Sequence, residues 1–114
     1  MSTAEELTDG VILQPWVGRG WISTETAGLD YSLLRQHDHG GATLYLRFAK
    51  GTVGAPHTHP EGEELYVVAG DITVGGRRLK AGDYLYTPPG ASHDAVAHAD
   101  TLLLMHLPKL PIFL

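Results

Sequence analysis

The segment GTVGAPHTHPEGEELYVVAG, residues 51–70, combines strand-forming residues with side chains that can bind a metal ion. His57 and His59 are two positions apart, and residues at this spacing on a β-strand point to the same face. Their imidazoles are therefore expected side by side, near enough to converge on one ion. Residues 60–62, Pro-Glu-Gly, are typical of a turn. We expect this turn to reverse the chain, so that Glu63 opens the next strand and adds a carboxylate oxygen to the two nitrogens.

A fourth donor follows in the segment GDYLYTPPGASH, residues 82–93. Residues 84–87 predict a strand, and the Pro-Pro-Gly sequence after them predicts a turn that delivers His93. Three neutral imidazoles and one carboxylate suit a divalent Fe, Mn, Ni, Co or Zn ion, and the residues do not distinguish among these metals. The predicted metal ligands are His57, His59, Glu63 and His93.

Both segments resemble the two sequence motifs of the cupin family. The first motif, Gly-x5-His-x-His-x3,4-Glu-x6-Gly, is matched at every position by Gly51, His57, His59, Glu63 and Gly70. The second motif, Gly-x5-Pro-x-Gly-x2-His-x3-Asn, is matched by Gly82, Pro88, Gly90 and His93, while Ala97 stands at the Asn position. That Asn is not usually a metal ligand in the family, so the proposed ligand set does not depend on it.

Two adjacent glutamates compete for the carboxylate role. Glu63 fits the motif's six-residue spacing to Gly70, and it has the same strand parity as Leu65. Glu64 would then point to the opposite face of the strand, together with Tyr66. We therefore assign the ligand role to Glu63.

The resemblance spans residues 35–107 and implies a double-stranded β-helix, a jelly-roll barrel with a metal ion near one mouth. The sequence around the motifs resembles that of one branch of the cupins. That branch contains the cupin domain of ChrR-type anti-sigma factors and small dioxygenases that cleave acetylacetone or dihydroxyacetophenone. The dioxygenases are described as three-histidine iron enzymes, and the additional Glu63 is closer to the ChrR-type pattern.

Length and composition limit the number of domains and the classes of function that the chain can have. The 114 residues suffice for one domain, which we divide into a flexible N-terminus (1–9), a cupin barrel (10–107) and an apolar C-terminal tail (108–114). The formal charge of -5 argues against nucleic-acid binding, and the absence of cysteine excludes disulfides and thiolate ligands. No apolar run reaches membrane-spanning length and the first residues do not resemble a signal peptide, so we expect a cytoplasmic protein.

The rest of the chain indicates an all-β fold. Short alternating strands are separated by glycine and proline turns, and no helix of normal length is indicated. Gly75-Gly76 is expected to form a two-residue hairpin turn.

Trp16 and Trp21 could form a lid or a subunit contact, and we favour ordinary burial. His37 and His39 are interpreted as solvated turn residues, and His106 as a hydrogen-bonded strand histidine.

Four functions are compatible with this site. The favoured one is a metal-dependent oxygenase of the dioxygenase type, acting on a small oxygenated organic molecule. The alternatives are a metal-bound sensing or binding module, a non-redox isomerase or lyase, and a barrel that holds metal without turnover.

Exposed sheet edges and the apolar tail also predict a homodimer, with contacts near Trp16, Trp21 or residues 112–114, unless the tail folds back over its own barrel.

Overall fold

The computed structural model describes residues 5–6, 9–58, 60–109 and 112–113. Within these residues there is no helix that could cross a membrane. The described strands are β1 (Glu5–Glu6), β2 (Ile12–Leu13), β3 (Ile22–Ser23), β4 (Leu29–Gln36), β5 (Ala42–Phe48), β6 (Val53–Thr58), β7 (Glu63–Ala69), β8 (Asp71–Val74), β9 (Arg77–Lys80), β10 (Tyr84–Thr87), β11 (Ser92–Ala97), β12 (Thr101–Leu107) and β13 (Ile112–Phe113).

Two antiparallel sheets form the body of the protein, which is an all-β jelly roll. The six-stranded sheet has the order β10-β7-β12-β5-β4-β3, and the five-stranded sheet has the order β13-β6-β11-β8-β9. From β5 onward the chain alternates between them, since β5, β7, β10 and β12 lie in the larger sheet and β6, β8, β9 and β11 lie in the smaller one. Segments adjacent in sequence therefore face each other across the core.

The core lies between the inner faces of the two sheets. In β7, Leu65 and Val67 are buried while Tyr66 and Val68 are largely exposed, as the two-residue period of a strand requires. In β12, Leu103 packs into the same cluster. The other buried apolar residues are Ala42, Leu44, Phe48, Ile72, Val74, Leu79, Ala95, Ala97, Met105 and Leu107.

The predicted hairpin turn is confirmed. Gly75 and Gly76 have φ angles of 55° and 79° and join β8 to β9. Both positions thus adopt the left-handed conformation that glycine accepts without steric cost.

The predicted terminal segments are only partly described. Within the N-terminal stretch 1–9, β1 pairs with β2, while residues 1–4, 7 and 8 lie outside the described residues. In the C-terminal tail, β13 pairs with β6 of the same chain, and residues 110, 111 and 114 lie outside the described residues. At β13 the tail therefore folds back on its own barrel.

The expectation that Trp16 and Trp21 are ordinarily buried is wrong for Trp16, which is 55% exposed. The two indoles lie outside the sheet, and the Trp16 ring meets Tyr45 edge-on at a centroid distance of 5.4 Å. Their side chains cover the outer face of β5 because Tyr45 points away from the core, which Leu44 and Phe48 enter.

Replacing a core leucine should destabilise the protein far more than the same change on the surface. Leu103 is 2% exposed and Leu33 is 43% exposed. Because a buried truncation leaves a cavity, Leu103→Ala should lower the free energy of unfolding by about 2–5 kcal/mol. Leu33→Ala should lower it by about 1 kcal/mol or less. Equilibrium urea denaturation measures both, and equal losses would contradict the assignment of the core.

Candidate metal centre

Glu63 is delivered into the barrel by a turn that requires glycine. It is the first residue of β7, and its side chain is buried, with the residue only 1% exposed. Gly62, just before it, has a φ of +82°, and a Cβ at this position would lie 2.7 Å from the carbonyl oxygen of Thr87. A larger residue would therefore clash with the backbone and push β7 away from β10.

The assignment of Glu63 to the inner face is confirmed by the position of its neighbour. Glu64 is exposed, and its Oε1 accepts a hydrogen bond of 2.7 Å from the Tyr84 hydroxyl. This hydrogen bond, with smaller effects from burial and from the glutamate charge, raises the pKa of Tyr84. Glu64 thus belongs to the outer surface and is separated from the inner group by the sheet itself.

His57 and His93 lie opposite each other on neighbouring strands. His57 is in β6 and His93 in β11, and the two residues are direct partners in the antiparallel register. Their ring centroids are 4.8 Å apart, with the rings nearly perpendicular at 84°. The register shifts immediately after His93. Such a bulge changes the direction of side chains beside it, and it ends the regular alternation at this point.

The three side chains converge from both sheets. One potential ligand atom from each of His57, Glu63 and His93 lies within 4.8 Å of the others. His93 Nε2 lies 3.0 Å from Glu63 Oε1. The histidines come from the five-stranded sheet and the glutamate from the six-stranded sheet, so the group forms only when the barrel closes.

Hydrogen bonds orient the two imidazoles. His57 Nδ1 lies 2.9 Å from the carbonyl oxygen of Ala55. Because a carbonyl only accepts, Nδ1 carries the proton, which leaves the Nε2 lone pair available to a metal. His93 Nδ1 lies 3.5 Å from the buried Thr87 hydroxyl, at the outer limit of a hydrogen bond. The sequence does not indicate a role for Thr87 at this site, because its pairing with Glu63 is set by strand register alone.

The donor set fits a metal ion on electrostatic grounds. A buried carboxylate such as Glu63 is costly unless a positive charge neutralises it. A carboxylate oxygen and an unprotonated ring nitrogen also repel each other at 3.0 Å. A cation between the two atoms relieves both costs. Two imidazole nitrogens and one carboxylate oxygen are ligands that divalent transition metals accept.

The fourth predicted ligand, His59, lies outside the described residues. The ligand set His57, His59, Glu63 and His93 therefore stays a prediction, with three of its members placed together.

Another pair of histidines corrects one interpretation. His37 is not simply a solvated turn residue, because its Nε2 lies 2.8 Å from Thr43 Oγ1 and its ring stacks 4.7 Å from that of His106. Burial lowers the pKa of His37, and the nearby charges of Arg35 and His106 lower it further. His106 hydrogen-bonds Thr43, as expected for a strand histidine, and His39 is exposed.

Comparisons with known proteins agree with the fold. The family model described as the ChrR Cupin-like domain matches residues 16–109. No curated protein matches the chain. A solved RmlC-like cupin from Shewanella frigidimarina is 28% identical, with a TM-score of 0.69, over 81% of this chain and 86% of that one.

Two further structures share the fold at lower identity. An acetylacetone dioxygenase from Acinetobacter johnsonii is 19% identical, with a TM-score of 0.76, over 82% of this chain and 71% of its own. The complex of Rhodobacter sphaeroides SigE with the anti-sigma ChrR contains a chain that is 22% identical, with a TM-score of 0.68. That match covers 76% of this chain and 47% of the other, so this chain spans about half of its length.

The family model covers most of the chain, and the cupin motifs meet in space where His57, Glu63 and His93 converge. This chain belongs to the ChrR cupin-like domain family.

Proposed function

We propose that this chain is a metal-dependent oxygenase, of the dioxygenase type, that acts on a small oxygenated organic molecule. The observation that carries the proposal is the convergence of His57, Glu63 and His93 at the end of the barrel. Four protein ligands, with His59 as the fourth, would leave two positions open on a six-coordinate ion. When bound, a divalent redox metal supplies Lewis-acid and electron-transfer chemistry to a substrate at those positions.

The residues of the chain prepare the site for such an ion. The carbonyl of Ala55 holds His57 in the tautomer whose Nε2 can bind a metal. Burial keeps water away from Glu63, which strengthens its attraction for a cation. The likeness in fold to an acetylacetone dioxygenase supports oxygen chemistry, and β-diketones and hydroxyketones are therefore the first substrates to test.

A second candidate is a metal-bound sensing or binding module. It is favoured by the family model, which is described as ChrR cupin-like, and by the match to a chain in an anti-sigma complex. Such a module would bind the same ion through the same residues but would not consume oxygen.

The ligand set predicts different outcomes for two adjacent, chemically identical substitutions. Glu63→Gln keeps the side-chain shape but removes the charge. Removing a group that only hydrogen-bonds to a metal ligand typically lowers metal affinity ~10–100-fold, so the loss of a ligand's charge should lower it at least as much. Glu64→Gln removes the same charge from the outer surface, where Glu64 hydrogen-bonds Tyr84. Its metal affinity should stay within about twofold of the wild-type value. Competition with a chromogenic chelator measures both, and a larger loss in Glu64→Gln would contradict the assignment.

Oxygen consumption distinguishes the two functions. Protein purified without added metal is analysed for its metal content and then tested for oxygen uptake with diketones, hydroxyketones and phenols. The oxygenase proposal expects uptake with a redox metal bound. It expects His59→Ala to lose metal and uptake, and His39→Ala, in the exposed turn, to keep both. A bound redox metal without uptake across the panel would favour the binding module, and full metal content in His59→Ala would contradict the ligand set.

We also propose a homodimer, formed through the edge strand β10 instead of the segments near Trp16, Trp21 and residues 112–114 that the sequence suggests. This strand pairs only with β7 among the described residues, and unpaired edges invite association. Tyr84 and Tyr86 are 57% and 54% exposed, and Tyr66 beside them is 44% exposed.

Light scattering tests this assembly. At micromolar concentration the wild-type protein should have about twice the chain mass of 12.3 kDa. Tyr86→Lys should give a monomer, because it places a charge in the contact. Val17→Lys alters the most exposed apolar side chain on the N-terminal segment, at 86% exposure, and should remain dimeric. Loss of the dimer in Val17→Lys alone would place the contact near Trp16 instead.

A further inference from the structure

A cavity lies on the outer face of the six-stranded sheet, at the opposite end of β7 from Glu63. Its volume is about 500 Å³, which is within the range of small-molecule sites. The seven residues of β7 place the two ends about 20 Å apart. The residues that line this cavity, which we call the tryptophan cleft, include Trp16, Trp21, Asp30, Arg47, Asp100 and Leu102.

One wall of the tryptophan cleft is a segment that hydrogen bonds attach to the sheet. Residues 14–21, which we call the strap, run across the outside of β4 and β5. Gln14 Nε2 donates a hydrogen bond of 2.7 Å to the carbonyl of Leu34. Arg19 donates through Nη1 to the buried Ser32 hydroxyl at 3.0 Å and through Nη2 to the carbonyl of Pro15 at 2.8 Å. The indoles of Trp16 and Trp21, both in the strap, are therefore positioned before any ligand arrives.

The wall of the cleft already holds one cation. The guanidinium of Arg47 lies over the Trp21 ring, 4.2 Å from its centroid. Its Nε donates to Asp30 Oδ2 at 3.0 Å. A planar cation between an indole face and a carboxylate is a favourable arrangement, because the ring quadrupole and the negative charge both attract it. Trp16, 55% exposed and 6.2 Å from Trp21, offers a second aromatic surface.

The charge in the cleft favours a positive ligand. Asp30 and Arg47 neutralise each other. Asp100 accepts a hydrogen bond from the backbone N–H of Lys50 through Oδ1. In the described part of the chain no ion pair neutralises it. The cleft therefore has one uncompensated carboxylate beside aromatic and aliphatic walls, in a protein of formal charge -5.

We propose that the tryptophan cleft binds a small organic cation, an amine or quaternary ammonium carried on an apolar body. The apolar body packs against Trp16 and Leu102, and the positive nitrogen lies beside Asp100. None of the cleft residues belongs to the group formed by His57, Glu63 and His93, so the cleft is a separate site from the candidate metal centre.

Intrinsic fluorescence reports directly on this site, because the chain has two tryptophans and both line the cleft. The full chain is titrated with benzyltrimethylammonium, with neutral benzyl alcohol and with the phenylacetate anion. The proposal expects a saturable fluorescence change with the cation and an affinity at least about tenfold higher than for either other probe. Equal affinities for the three probes, or no saturable change with the cation, would overturn it.

Charge removal provides the matched comparison. Asp100→Asn keeps the Oδ1 acceptor for Lys50 but removes the negative charge, so cation binding should weaken severalfold while benzyl alcohol binding stays the same. Asp38→Asn makes the same change at an exposed turn at the opposite end of β4 and should alter neither. Unchanged cation affinity in a folded Asp100→Asn would contradict the proposal. Salt dependence of the wild-type protein tests it independently, since added salt should weaken only cation binding.

Discussion

The contact between His93 and Glu63 is the constraint on which the architecture of this protein depends. A carboxylate at 1% exposure inside an apolar barrel requires a neutralising positive charge, and His93 Nε2 lies 3.0 Å from its Oε1. The two residues belong to different sheets. Their pairing therefore links the closure of the barrel to the chemistry of the site.

The local backbone follows from this requirement. Gly62 allows the turn to approach the Thr87 carbonyl, which places Glu63 at the first position of β7. On the facing sheet, antiparallel register sets His57 directly against His93, and the bulge that follows His93 changes the direction of the strand. A one-residue slip of β7 would move Glu64 inside and Glu63 outside. The register is held by Leu65 and Val67, which are buried in the core.

The two faces of the six-stranded sheet perform different tasks. The inner face combines the core with the carboxylate of the candidate metal centre. The outer face is covered by the strap on β4 and β5 and is open on β7 and β10. Polar groups on this face pair locally, as Tyr84 does with Glu64 and Arg47 with Asp30. A chain of this size can thus present a candidate metal centre and a separate aromatic cleft without sharing side chains between them.

Features set by local backbone geometry could be predicted from the sequence. The parity of Glu63 and Glu64 follows from the alternation of a strand, and the Gly75-Gly76 turn follows from the φ angles that a short hairpin needs. Features that depend on distant partners could not. The sequence predicts a solvated His37, because its stacking on His106 arises only when β4, β5 and β12 assemble.

The tryptophans show the same limit on prediction. Their size suggests burial, but Trp16 and Trp21 pack on the outward-facing Tyr45, so the sheet excludes them from the core. Thr87 likewise became part of the site only through its register with Glu63. In each case the sequence shows the chemical type of the side chain, whereas the tertiary pairing decides which face receives it.

We propose that one divalent ion is held where the two sheets meet. The most direct test is anomalous X-ray diffraction from crystals grown with manganese or cobalt, recorded on both sides of the absorption edge of the metal. We expect a single strong peak at roughly 2.0–2.2 Å from ligand atoms of His57, His59, Glu63 and His93. A peak beside His37 and His106, or a peak from which Glu63 is absent, would contradict it.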